Sequence, residues 1–182
     1  MEGISHEAVS LAGHMRLSKL IVLFDDNGIC IDGKTDMTVG DDQLGRFQAS
    51  GWDVSQVDGH DPEAVAAAIA AARTSDRPSL IACKTEIGRG APTKAGTAST
   101  HGAPLGDDEI AGAREKMGWP HAAFEVPADV LNAWRAVGAK GTDHRAGWEG
   151  RLAADKAGAE FKRMITGQLA EGWKAALDAH KQ

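Results

Sequence analysis

The stretch Lys19–Gly33 reads KLIVLFDDNGICIDG, and its two halves have different physical requirements. Leu20–Phe24 is an unbroken apolar run without period-two alternation, the pattern of a strand buried on both faces of a parallel sheet. Asp25, Asp26, Asn27 and Gly28 follow at once, and these are residue types that turns use because their short polar side chains bond nearby backbone. They also suit a hard cation. Mg2+ takes oxygen ligands such as an Asn amide and a main-chain carbonyl, and keeps water and phosphate in its shell. Gly28 would let the backbone bend so that the next carbonyl turns inward. From the residues alone, the plain turn is the simpler reading.

Working outward, residues 4–14 carry apolar side chains at helical spacing (Ile4, Ala8, Leu11, Ala12), which predicts a helix before the strand. DDQLGRFQASG, residues 41–51, predicts a short helix with acids in its first turn and Gly51 just past its end. WDVSQVDG is a second strand. DPEAVAAAIAAARTS, residues 61–75, is the clearest helix, with Asp61 as N-cap, Pro62 at the first helical position and an Ala-rich face for close packing. RPSLIACKT is a third strand, again unalternating. Strands alternating with helices through short connections predict an α/β fold, a parallel sheet flanked by helices. Residues 86–106 form a loop rich in Gly, Ala, Thr and Pro, and a loop that long inside a compact domain is usually functional or disordered. DDEIAGAREKMGW follows the loop. From Pro127 onward two or three polar helices are expected, with a break at GAKGTDHRAG, residues 138–147.

The 182 residues, 42% apolar and 25% charged, fit one soluble domain with a sizeable core. A formal charge of -6 argues against a nucleic-acid surface, and no apolar run reaches membrane-span length. Cys30 and Cys83 lie at the ends of apolar runs and predict buried free thiols in a reducing cytoplasm.

In open parallel sheets ligands bind beyond the carboxyl ends of the strands. Three such ends matter: Asp25–Ile29, Asp58–Asp61 and Thr85–Gly90. At the second, Asp61 caps a helix, Gly59 turns the chain and His60 reads as a satisfied loop histidine. Beyond the third, Arg89 and Lys94 are local cations for an anionic group, and His101 in THGAP could bind phosphate or serve in acid–base work. A mobile surface loop with an incidental histidine explains the composition equally well. His6 and His14 lack the spacing of a helical zinc pair, and His121, His144 and His180 stand apart. The five tryptophans read as packing residues, with Trp148 and Trp173 able to face a partner domain.

MEGISHEAVSLAGHMRLSKLIVLFDDNGICIDG, residues 1–33, resembles the second half of the thiamine-diphosphate signature of transketolases. KTEIGRGAPTKAGTASTHGAPLG, residues 84–106, is similar to the transketolase loop that carries a histidine before Gly-Ala-Pro-Leu. GWDVSQVDGHD and RPSLIACKT lie between them in the family's order. The resemblance is strong to about Pro127 and less specific beyond.

It implies the thiamine-diphosphate-binding fold of a PP-type domain over residues 1–126, with a helical extension and linker over residues 127–182. The implied activity is transfer of a two-carbon ketol unit from a ketose phosphate to an aldose. The implied cofactors are thiamine diphosphate and Mg2+, with Ca2+ or Mn2+ possible substitutes. Asn27 would ligate the metal and approach the diphosphate, Ile29 would offer its carbonyl to the metal, and Ile31 and Ile87 would pack against the cofactor. His101 would contact diphosphate and sugar. Glu2 would lie at the contact of a homodimer, near the aminopyrimidine end of the neighbouring site. The family's Gly-Asp-Gly would precede Met1 and its pyrimidine-binding domain would follow the present C-terminus. The chain is therefore expected to be a fragment, inactive by itself, with an exposed sheet edge. Two alternatives are a non-catalytic piece that binds a partner chain and a piece of dihydroxyacetone synthase.

Overall fold

In the computed structural model, which describes residues 3–181, the run after Leu20 forms β1 (Ile21–Asp26). A small antiparallel hairpin follows, β2 (Ile29–Cys30) with β3 (Gly33–Lys34). β4 (Asp53–Asp58) and β5 (Ser79–Lys84) complete a three-stranded parallel sheet of order β1-β5-β4. The α/β reading holds, with helices on both faces.

Only β5 is the strand that an unalternating run predicts. Its first five residues are buried, and Leu80, Ile81 and Ala82 have no exposed surface. β1 has the same apolar pattern but lies at an edge, so Leu23 is 50% exposed. Both-face burial is thus corrected for β1: the pattern reports a strand fit for burial, and only elements packed over both faces provide it, as α3 does for β4 and β5 on the Leu23 face. Leu11, Met15, Leu17 and Leu20 are also substantially exposed.

Two clusters hold the sheet. On one face α1 (Ser5–His14) and α2 (Gln43–Ala49) bring Ala12 and Phe47 against Trp52 and Leu80, with Val22, Phe24 and Val54 beside them. The Trp52 indole N–H donates to the Val9 carbonyl (2.9 Å) and its ring meets Phe47 edge-on at 5.0 Å. Close approach here depends on Gly13, where an added Cβ would lie 1.7 Å from the Ser50 carbonyl oxygen. On the other face α3 (Pro62–Ala72) packs Val65, Ala68, Ile69 and Ala72 against Ile81 and Cys83. Its start matches expectation: the Asp61 carboxylate accepts from Glu63 N–H (3.0 Å) and Ala64 N–H (3.2 Å). α2 begins similarly, with Asp42 accepting from Gly45 N–H at 2.9 Å.

α4 (Asp107–Lys116) belongs with these elements in a compact unit that ends at Pro120; a second unit begins at His121. The second contains α5 (Ala128–Ala154), α6 (Gly158–Ile165) and α7 (Trp173–His180). The expected break at residues 138–147 is absent, because α5 runs through them for 27 residues. Each glycine there costs about 1 kcal/mol relative to alanine, but no proline interrupts the ladder. Ala139, Lys140 and Ala146 favour helix, and Arg145 pairs with Glu149 one turn on (2.8 Å). Of the tryptophans, only Trp52 is a core residue. Trp148 meets Phe161 edge-on at 6.2 Å within the second unit, and Trp134 is 75% exposed. No helix among the described residues is long and apolar enough to cross a membrane.

Candidate functional site

Register aligns the three strand ends. Asp26, Lys84 and Asp58 are partners in one row, so every turn after them leaves from the same rim of the sheet. Gly59 tightens this rim: its N–H donates to the Lys84 carbonyl (2.8 Å), and a Cβ there would lie 2.5 Å from Thr85 Cγ2. His60 is indeed a satisfied loop histidine. Its Nε2 accepts the Glu86 N–H at 2.8 Å, which assigns the ring proton to Nδ1 and joins the β4 turn to the start of the long loop.

The turn after β1 is a connected set. Thr85 Oγ1 donates to Asp25 Oδ1, and Asn27 Nδ2 donates to Asp25 Oδ2 (3.2 Å). This fixes the Asn27 amide, whose Oδ1 accepts the Ile29 N–H at 2.9 Å. Gly28, at φ +71°, makes the bend. A cleft of about 430 Å³ lies beside the turn, lined by Phe24, Asp26, Asn27, Ile29, Thr35 and Leu44 among others.

The donor chemistry fits part of a hard-cation shell. Both Asp25 oxygens are engaged, and Asp26 faces the Lys84 ammonium at 3.4 Å. Asn27 Oδ1, which keeps a second lone pair beside its bond from the Ile29 N–H, and the Ile29 carbonyl are neutral oxygens of the kind such a shell uses, and a six-oxygen shell would draw the rest from phosphate, water and other groups. No cluster of three His, Cys, Asp or Glu side chains able to hold a metal occurs among the described residues. Cys83 is buried and free, its thiol pushed above the ordinary 9.0 by burial and then by the Asp25 charge; Cys30 is only half-buried.

The loop is more ordered than its composition implies. Gly96 N–H donates to the Ile87 carbonyl (2.8 Å), and a short 3-10 turn spans Ala98–Thr100. Lys94 is no free cation: its ammonium donates to the Leu105 carbonyl at 2.6 Å. Arg89 is exposed. Glu109, on α4, is 9% exposed and accepts from Thr93 N–H (3.2 Å) and from the Thr93 hydroxyl. The hydroxyl bond chiefly, then backbone N–H groups of Thr93 and Lys94, hold its carboxyl below the ordinary 4.5 against the opposing effect of burial. A folded-state value below the ordinary one means that ionised Glu109 stabilises the fold above 4.5. That contribution is lost as pH falls through the lowered value. We expect the Thr93 amide resonance to titrate with a midpoint below 4.5; a midpoint at or above it would contradict the bonding described.

His101 is exposed on this loop, with its N–H donating to the Ala98 carbonyl (3.0 Å). Ile87 is half-buried near the rim, whereas Ile31 is 73% exposed at the hairpin tip. Glu2 lies outside the described residues. The structure thus joins Asn27 to Asp25 and Thr85, and no hydrogen bond links His101 to Asn27 among the described residues. Sequence reasoning missed the Asp25–Thr85 and Glu109–Thr93 contacts. Glu109 follows a glycine N-cap that has no side chain to complete a capping box, and nothing local says that it reaches Thr93.

A doubly covered parallel sheet with polar turns gathered at its carboxyl rim defines an α/β ligand-binding domain. The family model "Transketolase, thiamine diphosphate binding domain" matches residues 1–170, and the chain belongs to that family. Transketolase of Sinorhizobium medicae is 53% identical over 168 residues, covering 92% of this chain and 24% of the relative. That of Cereibacter sphaeroides is 56% identical over 162 residues, covering 89% and 25%. Among solved structures, transketolase of Pichia stipitis with sedoheptulose 7-phosphate aligns at TM-score 0.87 and 38% identity, covering 97% of this chain and 27% of that one. The Campylobacter jejuni enzyme gives 0.83 and 34%, covering 89% and 26%. The chain therefore spans about a quarter of the length of the relatives it matches.

Proposed function

We propose that the chain is the diphosphate-holding part of a transketolase, which transfers a two-carbon ketol unit between sugar phosphates. The observation that carries the reading is the Asn27 turn, an amide oriented by Asp25 at the carboxyl rim of a parallel sheet. Thiamine diphosphate, when bound, supplies the carbon nucleophile and electron sink. The chain's own residues bind and orient. Asn27 and the Ile29 carbonyl hold the divalent ion, Mg2+ or in its place Ca2+ or Mn2+, that neutralises the diphosphate. Ile87 and Ile31 offer apolar surface to the cofactor, and His101 donates a hydrogen bond to diphosphate and sugar. Glu2 belongs to the contact of a cytoplasmic homodimer, and a separate pyrimidine-binding domain completes each site. Residues 1–126 form the cofactor domain in this reading, residues 127–182 the extension, and the chain alone turns over no substrate.

Isothermal titration of the chain with thiamine diphosphate, with and without Mg2+, tests this. Saturable heat that needs both supports it; a flat titration would favour the alternative of a piece that requires a partner chain before it binds anything. In a complete enzyme carrying this domain, His101→Ala should lower turnover by about a hundredfold. Its melting temperature should hold, because the side chain is exposed. Unchanged turnover removes His101 from the reaction.

A further inference from the structure

We propose that Glu109 is a positioning residue for His101, acting through a two-point clasp on the loop between Thr93 and Leu105. The proposal rests on the reading of His101 given above, and the contacts can be followed atom by atom. The Glu109 carboxylate is nine-tenths buried and takes both the N–H and the hydroxyl of Thr93, fixing the root of the loop against α4. From the next residue two bonds diverge. The Lys94 carbonyl accepts the Thr97 hydroxyl (2.7 Å), and the Thr97 carbonyl accepts the Thr100 hydroxyl (2.9 Å), one residue before His101. On the other side the Lys94 ammonium reaches the Leu105 carbonyl (2.6 Å), four residues after His101, and closes the loop on itself.

His101 therefore sits in a ring of chain whose closure is a charge-assisted bond and whose anchor is a buried carboxylate. The far side is braced as well. Gly88 packs so closely on Thr100 that a Cβ there would lie 2.6 Å from Thr100 Cγ2. Gly112 receives Pro92 in the same way, 2.2 Å from where its Cβ would be, which keeps α4 and the loop root together. An exposed histidine on an otherwise glycine-rich loop would sample many positions. The clasp removes that freedom before any ligand arrives, so less ordering cost falls on binding.

The test is amide hydrogen exchange on the full chain, with thiamine diphosphate plus Mg2+ titrated in parallel. Glu109→Ala should speed exchange of amides 94–105 by about tenfold or more, leaving β5 unchanged. Lys94→Met, which removes the ammonium that closes the loop on Leu105 and with it a positive charge beside the Glu109 carboxylate, should raise exchange over the same residues. Glu109→Gln, which keeps shape and an acceptor but loses charge, should give a smaller rise and serves if the alanine variant does not fold. Where the unaltered chain binds cofactor, Glu109→Ala should weaken binding by about tenfold. His101→Ala should weaken it without faster exchange. Exchange of residues 94–105 within twofold of the unaltered chain, or a rise spread equally over the sheet, overturns the clasp. So does unchanged cofactor affinity in the Glu109→Ala chain. If the unaltered chain binds no cofactor, the reading of the site fails, and the exchange data still decide whether Glu109 holds the His101 loop.

Discussion

Asn27→Ala should lower the Mg2+-dependent affinity for thiamine diphosphate by about a hundredfold, while costing the fold only about 1 kcal/mol. The two effects separate because the side chain does two unequal things. In the fold it makes two ordinary hydrogen bonds, to Asp25 and from Ile29, on a half-buried turn. In the proposed site its amide oxygen is one of the two oxygens of this turn assigned to the cation, and losing half of that set is severe. Calorimetric titration and urea unfolding on the same sample give both numbers. An affinity within threefold of the unaltered chain would show that the turn is structural only. Asn27→Asp sharpens the test. It keeps the acceptor for Ile29 N–H but loses the donor that faces Asp25, and it sets two carboxylates together where one amide bonded. That variant should lose turn stability in the absence of metal and recover part of it when Mg2+ is added.

Gly13→Ala should destabilise the chain by about 3 kcal/mol. Its sign is the informative part, because alanine in a helix is ordinarily better than glycine by about 1 kcal/mol. Here the new methyl would meet the backbone carbonyl of Ser50 at 1.7 Å and the Trp52 ring at 3.3 Å. A backbone atom cannot swing aside, so α1 must retreat from the turn after α2. The bond from the Trp52 indole to Val9 would stretch with it. Denaturant unfolding followed by Trp52 fluorescence measures the loss; a stabilised variant would mean that the two helices do not touch as described.

Much of this fold is legible in the sequence wherever short-range rules decide. Asp61 before Pro62 announces α3 because a cap and a fixed φ act within four residues. The apolar run Leu80–Cys83 announces β5 because its burial leaves no room for alternation. The rest depends on partners far along the chain. Whether Leu23 is covered depends on a helix lying over that face of β1, and nothing in Ile21–Asp26 encodes it. The β2–β3 hairpin rests on strands of two residues each, too short to carry a period. The turn at Asp25–Gly28 was visible as a turn, but its organising contact comes from Thr85, 60 positions away. Glu109 carries no local signal of its role, and only the fold brings it to Thr93. α5 shows the reverse error: glycines that would break a shorter helix are carried by the propensity of their neighbours.

The bond between His60 and the Glu86 N–H has a practical consequence. A ring held in one tautomer has two nitrogens with very different magnetic environments, and Nε2 here must give up its bond before it can take a proton. In 15N-enriched protein the ring nitrogen resonances of His60 therefore report, without any attached probe, whether the entrance to the long loop is docked on the β4 turn. A ligand that draws Glu86 away from the rim would be registered there as a shift toward averaged nitrogens, even though it never touched the histidine.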